Sequence, residues 1–562
     1  MRKALFIAAA ALVGVGCGDS PDALSTGSTS GPLTKRALRA ASPRAVVMAT
    51  VTEGSVLSGV TVEMTQSISG RSSNYAFSGS TGSDGVAEVE IVNSSRLGVS
   101  GMYAARTVNS NGDIIGKWTS IPINGNLVSH VTLPIGSGAT VTSTESLEPK
   151  TVFTVRIDNV SPVYEFPSSG VFATPVGADG PGGAYEFSFS AALGSALSFV
   201  NMFVPSNDFF YGPDENGIAL WDDNGDQVTG DVTSQVQLWD AGSEVNQEPG
   251  LGADQVKRQA APNTGAADSD DSVRLAPDTF NNLPAVADVI QVTLTPTSET
   301  SWTARIENVS EATTLSTSDG GELAVPMSPG VWVVHTAAGP IFTAGEMDRG
   351  EGLANNAEDG DVSGLSTALG ERTGLTVPQS PGVWVVHTGT DPIFTEGSAD
   401  RGEGLEAIAE TGGPLALADE LADDAGVMAT GVFHTPVGAS GPGPIGPGGA
   451  YEFSISAAPG DRLSFVNMFV PSNDFFFGPD GMGIALWNGS AQVSGDVTSQ
   501  ISIWDAGTEV NQEPGTGLDQ VQHQAAANTG AADSDNTVRM APDTFNNLPA
   551  VADVYKVTIT AQ

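Results

Sequence analysis

Two acidic constellations stand at matching places in this 562-residue chain. Asp208 follows an apolar run and a Pro205-Ser206-Asn207 turn, and Asp240 and Glu244 flank Gly242 in Trp239-Asp240-Ala241-Gly242-Ser243-Glu244. The second set has Asp474 after Pro471-Ser472-Asn473, with Asp505 and Glu509 flanking Gly507. Carboxylates four apart across a glycine let a tight loop aim both at one point. Hard cations such as Ca2+ take about six to eight oxygens, backbone carbonyls and water among them, so two or three acids per set suffice. The same residue types also cap loops, because a short Asp accepts backbone N–H bonds of the turn it opens. From the residues alone both roles stay open. Asp222-Asp223-Asn224-Gly225-Asp226 has the acid density of a calcium loop, but its counterpart Asn488-Gly489-Ser490 keeps the turn and loses the acids, so it reads as a hairpin turn. Asp268-Ser269-Asp270-Asp271, recurring as Asp533-Ser534-Asp535, reads as a solvated loop.

The elements that carry these acids come twice. Residues 197–210 recur letter for letter at 463–476, and 276–289 at 541–554, with the Trp-Asp-Ala-Gly blocks between them in the same order. Solenoid repeats have periods of roughly 20–50 residues, so these long copies are tandem domains, expected at 150–296 and 298–562. Each opens on a similar strand, Thr154-Val155-Arg156-Ile157 and Thr303-Ala304-Arg305-Ile306, and closes on a Val/Thr strand. A shorter duplication lies in the second copy, where Ser-Pro-Gly-Val-Trp-Val-Val-His occurs at 328–335 and again at 380–387. The first copy lacks that segment and is expected to be a reduced sandwich. Both Trp strands are apolar on both faces, so Trp332 and Trp384 should be buried. One strand should sit within copy two, the other beside it or over the open edge of copy one. Short helices are expected at 364–372 and 405–425.

The chain starts differently. Arg2 and Lys3 precede an apolar run too short to span a bilayer, then Gly14-Val15-Gly16 and Cys17, the single cysteine. Residues 1–17 are similar to a bacterial lipoprotein signal, which implies lipidation at Cys17. Simple secretory cleavage is the alternative. Residues 18–44 are rich in Ser, Thr, Gly and Pro and read as a flexible tether. Residues 45–146 alternate apolar and polar between turns such as Ser83-Asp84-Gly85 and Asn111-Gly112, the pattern of an immunoglobulin-like β-sandwich serving as a stalk.

Composition bounds the rest. Lys and Arg number 22 against 65 Asp and Glu, a net charge of −43, which disfavours nucleic acid and anionic lipid as partners. Apolar residues make up 40%, enough for substantial β cores despite 68 Gly and 34 Pro. Of the five histidines none pairs at metal-ligand spacing, and no Gly-x-Ser-x-Gly, His-Glu-x-x-His or phosphate-cradling motif occurs. His335 and His387 end their strands and should bond backbone at a core edge. The expected protein is not an enzyme. A purely structural envelope or matrix protein is the alternative, and a carbohydrate-active enzyme the weaker one.

The Pro205-Ser206-Asn207-Asp208-Phe209 and Trp239-Asp240-Ala241-Gly242-Ser243-Glu244 blocks, with their second copies, resemble the spondin N-terminal domain of the F-spondin and mindin type. Glu rather than Asp stands at 244 and 509. The resemblance covers roughly 150–562 and implies an all-β chain, with the immunoglobulin-like module followed by two antiparallel C2-like sandwiches. It implies one Ca2+ per copy, held by Asp208, Asp240 and Glu244 and by Asp474, Asp505 and Glu509. It also implies adhesion or recognition at the cell surface, with a surface glycan, lipopolysaccharide or protein as partner. Membrane contact would be through the lipid anchor alone, on an outer-membrane or cell-surface lipoprotein, or else a secreted protein.

Overall fold

The computed structural model describes residues 44–562 apart from 54, 67–76, 93–100, 124–126, 136–138, 147–149, 174–179, 262, 425, 528, 543 and 546. Cys17, the signal segment and the tether up to residue 43 lie outside the described residues. The chain is all-β. Its first module packs two four-stranded sheets. One joins β1 (Arg44–Thr52), β4 (Val86–Val92), β7 (Leu127–Pro134) and β8 (Thr140–Ser146) in the order β4-β1-β7-β8, with β1 and β7 parallel. The other joins β2 (Thr61–Gln66), β3 (Phe77–Ser80), β5 (Gly101–Val108) and β6 (Ile114–Ile123) in the order β3-β2-β5-β6. Period-two residues such as Val47, Val62, Val89 and Ile121 close the core between them.

The strands that follow are β9 (Thr151–Asn159), β10 (Ser168–Phe172), β11 (Ala184–Ser190), β12 (Ala196–Phe203), β13 (Phe209–Pro213), β14 (Val236–Asp240), β15 (Ile290–Ser298), β16 (Ser301–Asn308) and β17 (Met327–His335). Helices α1 (Leu353–Asp359) and α2 (Ser363–Gly370) end this stretch. The second half has β18 (Gln379–His387), α3 (Leu405–Thr411), α4 (Leu415–Asp423), β19 (Val427–Phe433), β20 (Ala450–Ala457), β21 (Arg462–Phe469), β22 (Phe475–Pro479), β23 (Ile501–Asp505) and β24 (Tyr555–Ala561). Two sandwiches of like design result. In the first, the sheet β10-β17-β12-β13-β14 with the short strand Arg274–Leu275 faces the sheet β11-β16-β15. In the second, β19-β18-β21-β22-β23 with Arg539–Met540 faces β20-β9-β24.

Strand pairing crosses the boundary expected near residue 297. β9 does not join the strands that follow it. It lies between β20 and β24, and the first sandwich takes β16 as the equivalent strand. Nor is the first sandwich a reduced one, because β17 sits between β10 and β12 as an interior strand. Each sandwich therefore owns one Val-Trp-Val-Val strand, and the first is inserted between β9 and β18 of the second.

The larger sheet of each sandwich is buried on both faces, which is why its strands read as continuous apolar runs. Trp332 and Val334 enter the inter-sheet core, while Val331 and Val333 pack under α1 and α2 with Leu353, Ala357, Leu365 and Leu369. Trp332 and Trp384 are 8% and 5% exposed, buried as expected. Helices α2 to α4 occupy the regions expected from composition, and α1 was not expected. Among the described residues no helix is long and apolar enough to cross a membrane.

Candidate functional site

At one corner of the first sandwich the β12–β13 turn meets the loop after β14. Ser206 Oγ donates to Phe203 O (2.7 Å) and accepts from Phe209 N (2.9 Å), fixing the turn that presents Asp208. Asp208 Oδ2 accepts from Ser243 N (3.1 Å), Ser243 Oγ (3.3 Å) and Glu244 N (3.0 Å), so Asp208 holds the opposite loop in place. Gly242 in that loop has φ +70°, and a Cβ there would stand 2.6 Å from Ser272 O. Only glycine satisfies both the left-handed backbone and the close approach.

Asp240 has another task. Its Oδ1 accepts from Gly242 N (2.8 Å), and its Oδ2 from Asn246 Nδ2 (2.7 Å) and the Arg274 guanidinium (2.7 Å). Arg274 also binds Asp268 (2.6 Å), so the run read as a solvated loop contributes one structural acid, while Asp270 stays exposed. Glu244 Oε1 accepts from Gly265 N (2.7 Å). The second sandwich repeats every one of these bonds: Asp474 to Thr508 N and Glu509 N, Asp505 to Gly507 N, Asn511 and Arg539, and Glu509 to Gly530 N.

A residue outside the expected set joins the corner from the helical layer. Glu358, in the last turn of α1, is 2% exposed and lies beside the Ser243 side chain, whose hydroxyl donates to Asp208. Glu410 of α3 is its counterpart, with Thr508 Oγ1 donating at 2.8 Å. Burial, joined for Asp208 by the charge of Asp240 and for Asp474 by that of Asp505, pushes these two aspartates up to about 8. Burial likewise pushes Glu358 and Glu410 up to about 7. Glu244 and Glu509 move up for the same cause. Several oxygens here have no hydrogen-bond partner: Asp208 Oδ1, Glu244 Oε2 and Glu358 Oε2, then Asp474 Oδ1 and Glu509 Oε2.

The structure thus brings Asp208 and Asp240 to adjacent strands, with Phe209 opposite Asp240, but turns Asp240 toward Arg274. Among the described residues no group of three or more His, Cys, Asp or Glu side chains, as placed, is disposed to hold a metal ion. Sequence reasoning missed Arg274, Arg539, Glu358 and Glu410. The signal was present: Val-Arg recurs at 273–274 and 538–539 inside a nearly identical segment, and Ala-Glu recurs at 357–358 and 409–410.

The other motifs settle simply. Asp222 Oδ1 accepts from Asn224 N (2.8 Å) and Asp226 N (3.0 Å), a hairpin turn. His335 Nδ1 donates to Ala337 O (2.8 Å), which leaves Nε2 to accept from Ser198 Oγ (2.9 Å). His387 does the same with Gly389 O and Ser464 Oγ, and burial pushes both imidazoles below their ordinary range. Beside the second corner lies a cleft of about 640 Å3, lined by Ser298, Glu299 and Ser301 on one wall and Asn511, Gln512 and Asp519 on the other. The chain matches no known family model and no curated protein sequence.

Proposed function

We propose that this is an extracellular, surface-attached adhesion or recognition protein whose two sandwiches each load a calcium ion at the acidic corner. The observation that carries the reading is the buried carboxylate oxygen without a partner on each of Asp208 and Glu244, repeated on Asp474 and Glu509 at the same corner of the second sandwich. A buried carboxylate lone pair is costly unless it meets a proton or a cation. Asp208, Glu244 and Glu358 are the donors assigned to the first corner, and Asp474, Glu509 and Glu410 to the second. Asp240 and Asp505 keep the loops in place through Arg274 and Arg539. Carbonyls and water complete the shell of so large an ion, and the long glutamate arms have the freedom to swing toward it. Attachment is through a lipid on Cys17, and the partner is a surface glycan, lipopolysaccharide or protein.

Calorimetry of calcium uptake by residues 44–562 tests the first half. Two binding events that vanish in Glu358→Gln with Glu410→Gln are expected, and no uptake at millimolar calcium sinks the cation. A glycan and lipopolysaccharide array, with intact cells alongside, tests the second half with and without chelator. Binding lost with chelator supports recognition. Binding absent in both conditions favours a purely structural envelope protein.

A further inference from the structure

The insertion of one sandwich into the other has a mechanical consequence. β9 is an interior strand of the second sandwich, in register with eight residues of β20 and seven of β24. Phe153, Val155 and Ile157 are fully buried in that core. The chain then leaves, builds the whole first sandwich, and returns as β18, an interior strand of the second sandwich's other sheet. Both ends of the first sandwich are therefore fixed in the second.

The two connectors are also stitched to each other. Ser161 Oγ and Asn159 Nδ2 both donate to Val377 O, and Tyr164 N donates to Thr376 Oγ1 (2.9 Å). Glu165 N and Phe166 N donate to Arg372 O, and Gly374 N donates to Phe166 O. Arg372 pairs with Glu165 (2.6 Å) and lies over the Phe166 ring at 4.8 Å. Ser169 Oγ and Thr373 Oγ1 share a hydrogen bond of 2.8 Å. The first sandwich hangs from the second by a two-stranded neck.

The start of β9 and the end of β24 meet at the far end of the second sandwich from the neck. Gln562 N donates to Val152 O (2.8 Å), so the last residue lies against the start of β9. Tension between the stalk and the C-terminus acts on the β9–β24 ladder and does not reach the neck while that ladder holds. We propose that the second sandwich shields the first from tension on the chain, so that forced unfolding has an obligatory order, second sandwich before first.

Pulling the full chain by its two ends, in a Cys17→Ser background, tests this. The length step of residues 163–374 is expected always to follow the opening of the second sandwich. The order should persist when Phe199→Ala weakens the first core, because that core still bears no tension. Oxidised Thr154→Cys with Thr560→Cys, facing residues of β9 and β24, should remove both steps, and reductant should restore them. Steps of the first sandwich that come first would overturn the proposal. So would closure of Thr154→Cys with Thr295→Cys, the partner that β9 would have in a sandwich built from residues 150–296.

Discussion

Asp208, Glu358 and their counterparts are acids that the fold keeps from ionising while no cation is present. An unfolded chain releases carboxyl protons near pH 4, whereas these four groups retain theirs to about 7 or 8. Between those values the folded state binds more protons than the unfolded one, so stability falls as pH rises. In chelator, Tm by scanning calorimetry should therefore be higher at about pH 5.5 than at about pH 8.5. Glu358→Gln with Glu410→Gln should flatten that slope, and calcium at the upper pH should raise Tm in the parent alone. A flat profile would show that these acids ionise as freely as in the unfolded chain, and a rising one that the fold favours their charge; either would contradict the burial. Burial pushes Asp240 up as well, while Asn246, Gly242 N and Arg274 work against it, so its charge has partners. Asp240→Ala takes from Arg274 its one fully buried carboxylate partner and should cost about 3 kcal/mol in urea unfolding, the low end for breaking a buried pair.

At the scale of the element, each Trp strand is seated by a glycine on its neighbour. Gly170 lies opposite Trp332 on β10, and a Cβ there would stand 2.8 Å from the indole. Gly431 and Trp384 repeat the arrangement at 2.7 Å. The indoles lie flat against Phe187 and Phe453, at 5.2 and 5.8 Å between centroids. Gly170→Ala must therefore tilt the ring or part the strands, a loss of roughly 1–3 kcal/mol of the kind seen on overpacking a core. Trp332→Ala removes the ring itself and should lose about 3–5 kcal/mol. Near-ultraviolet circular dichroism through denaturant unfolding reads both, and an unchanged spectrum in Gly170→Ala would contradict the contact.

At the scale of the molecule, the insertion dictates which pieces fold alone. Residues 160–374 hold every strand of the first sandwich and both its helices, so that fragment should melt cooperatively. Residues 375–562 lack β9 and face two open strands where it belongs, so they should not fold. A chain joining 150–160 directly to 375–562 should recover a cooperative melt, because it restores the ladder and omits only the insertion. Failure of that fusion, with 375–562 folding alone, would contradict the pairing. The parent should fold slowly at its last step, since β9 waits for a partner that is synthesised at the far end of the chain.

The sequence by itself determined the all-β class, the duplication and the set of Asp208, Asp240 and Glu244 with its second copy, because period-two patterning and near-identical repeats are local properties. It also determined that Trp332 and Trp384 are buried, since a strand apolar on both faces has no side to offer water. The tertiary structure alone decided which copy owns β9 and which owns each Trp strand. Thr151–Asn159 and Ser301–Asn308 carry the same apolar alternation, so either could complete either sheet, and the choice rests on connector geometry at Tyr164, Phe166 and Arg372. It likewise decided that Asp240 faces Arg274, its partner across the strand pair, and that Glu358 lies beside Ser243, which it meets only when the helices cover the sheet.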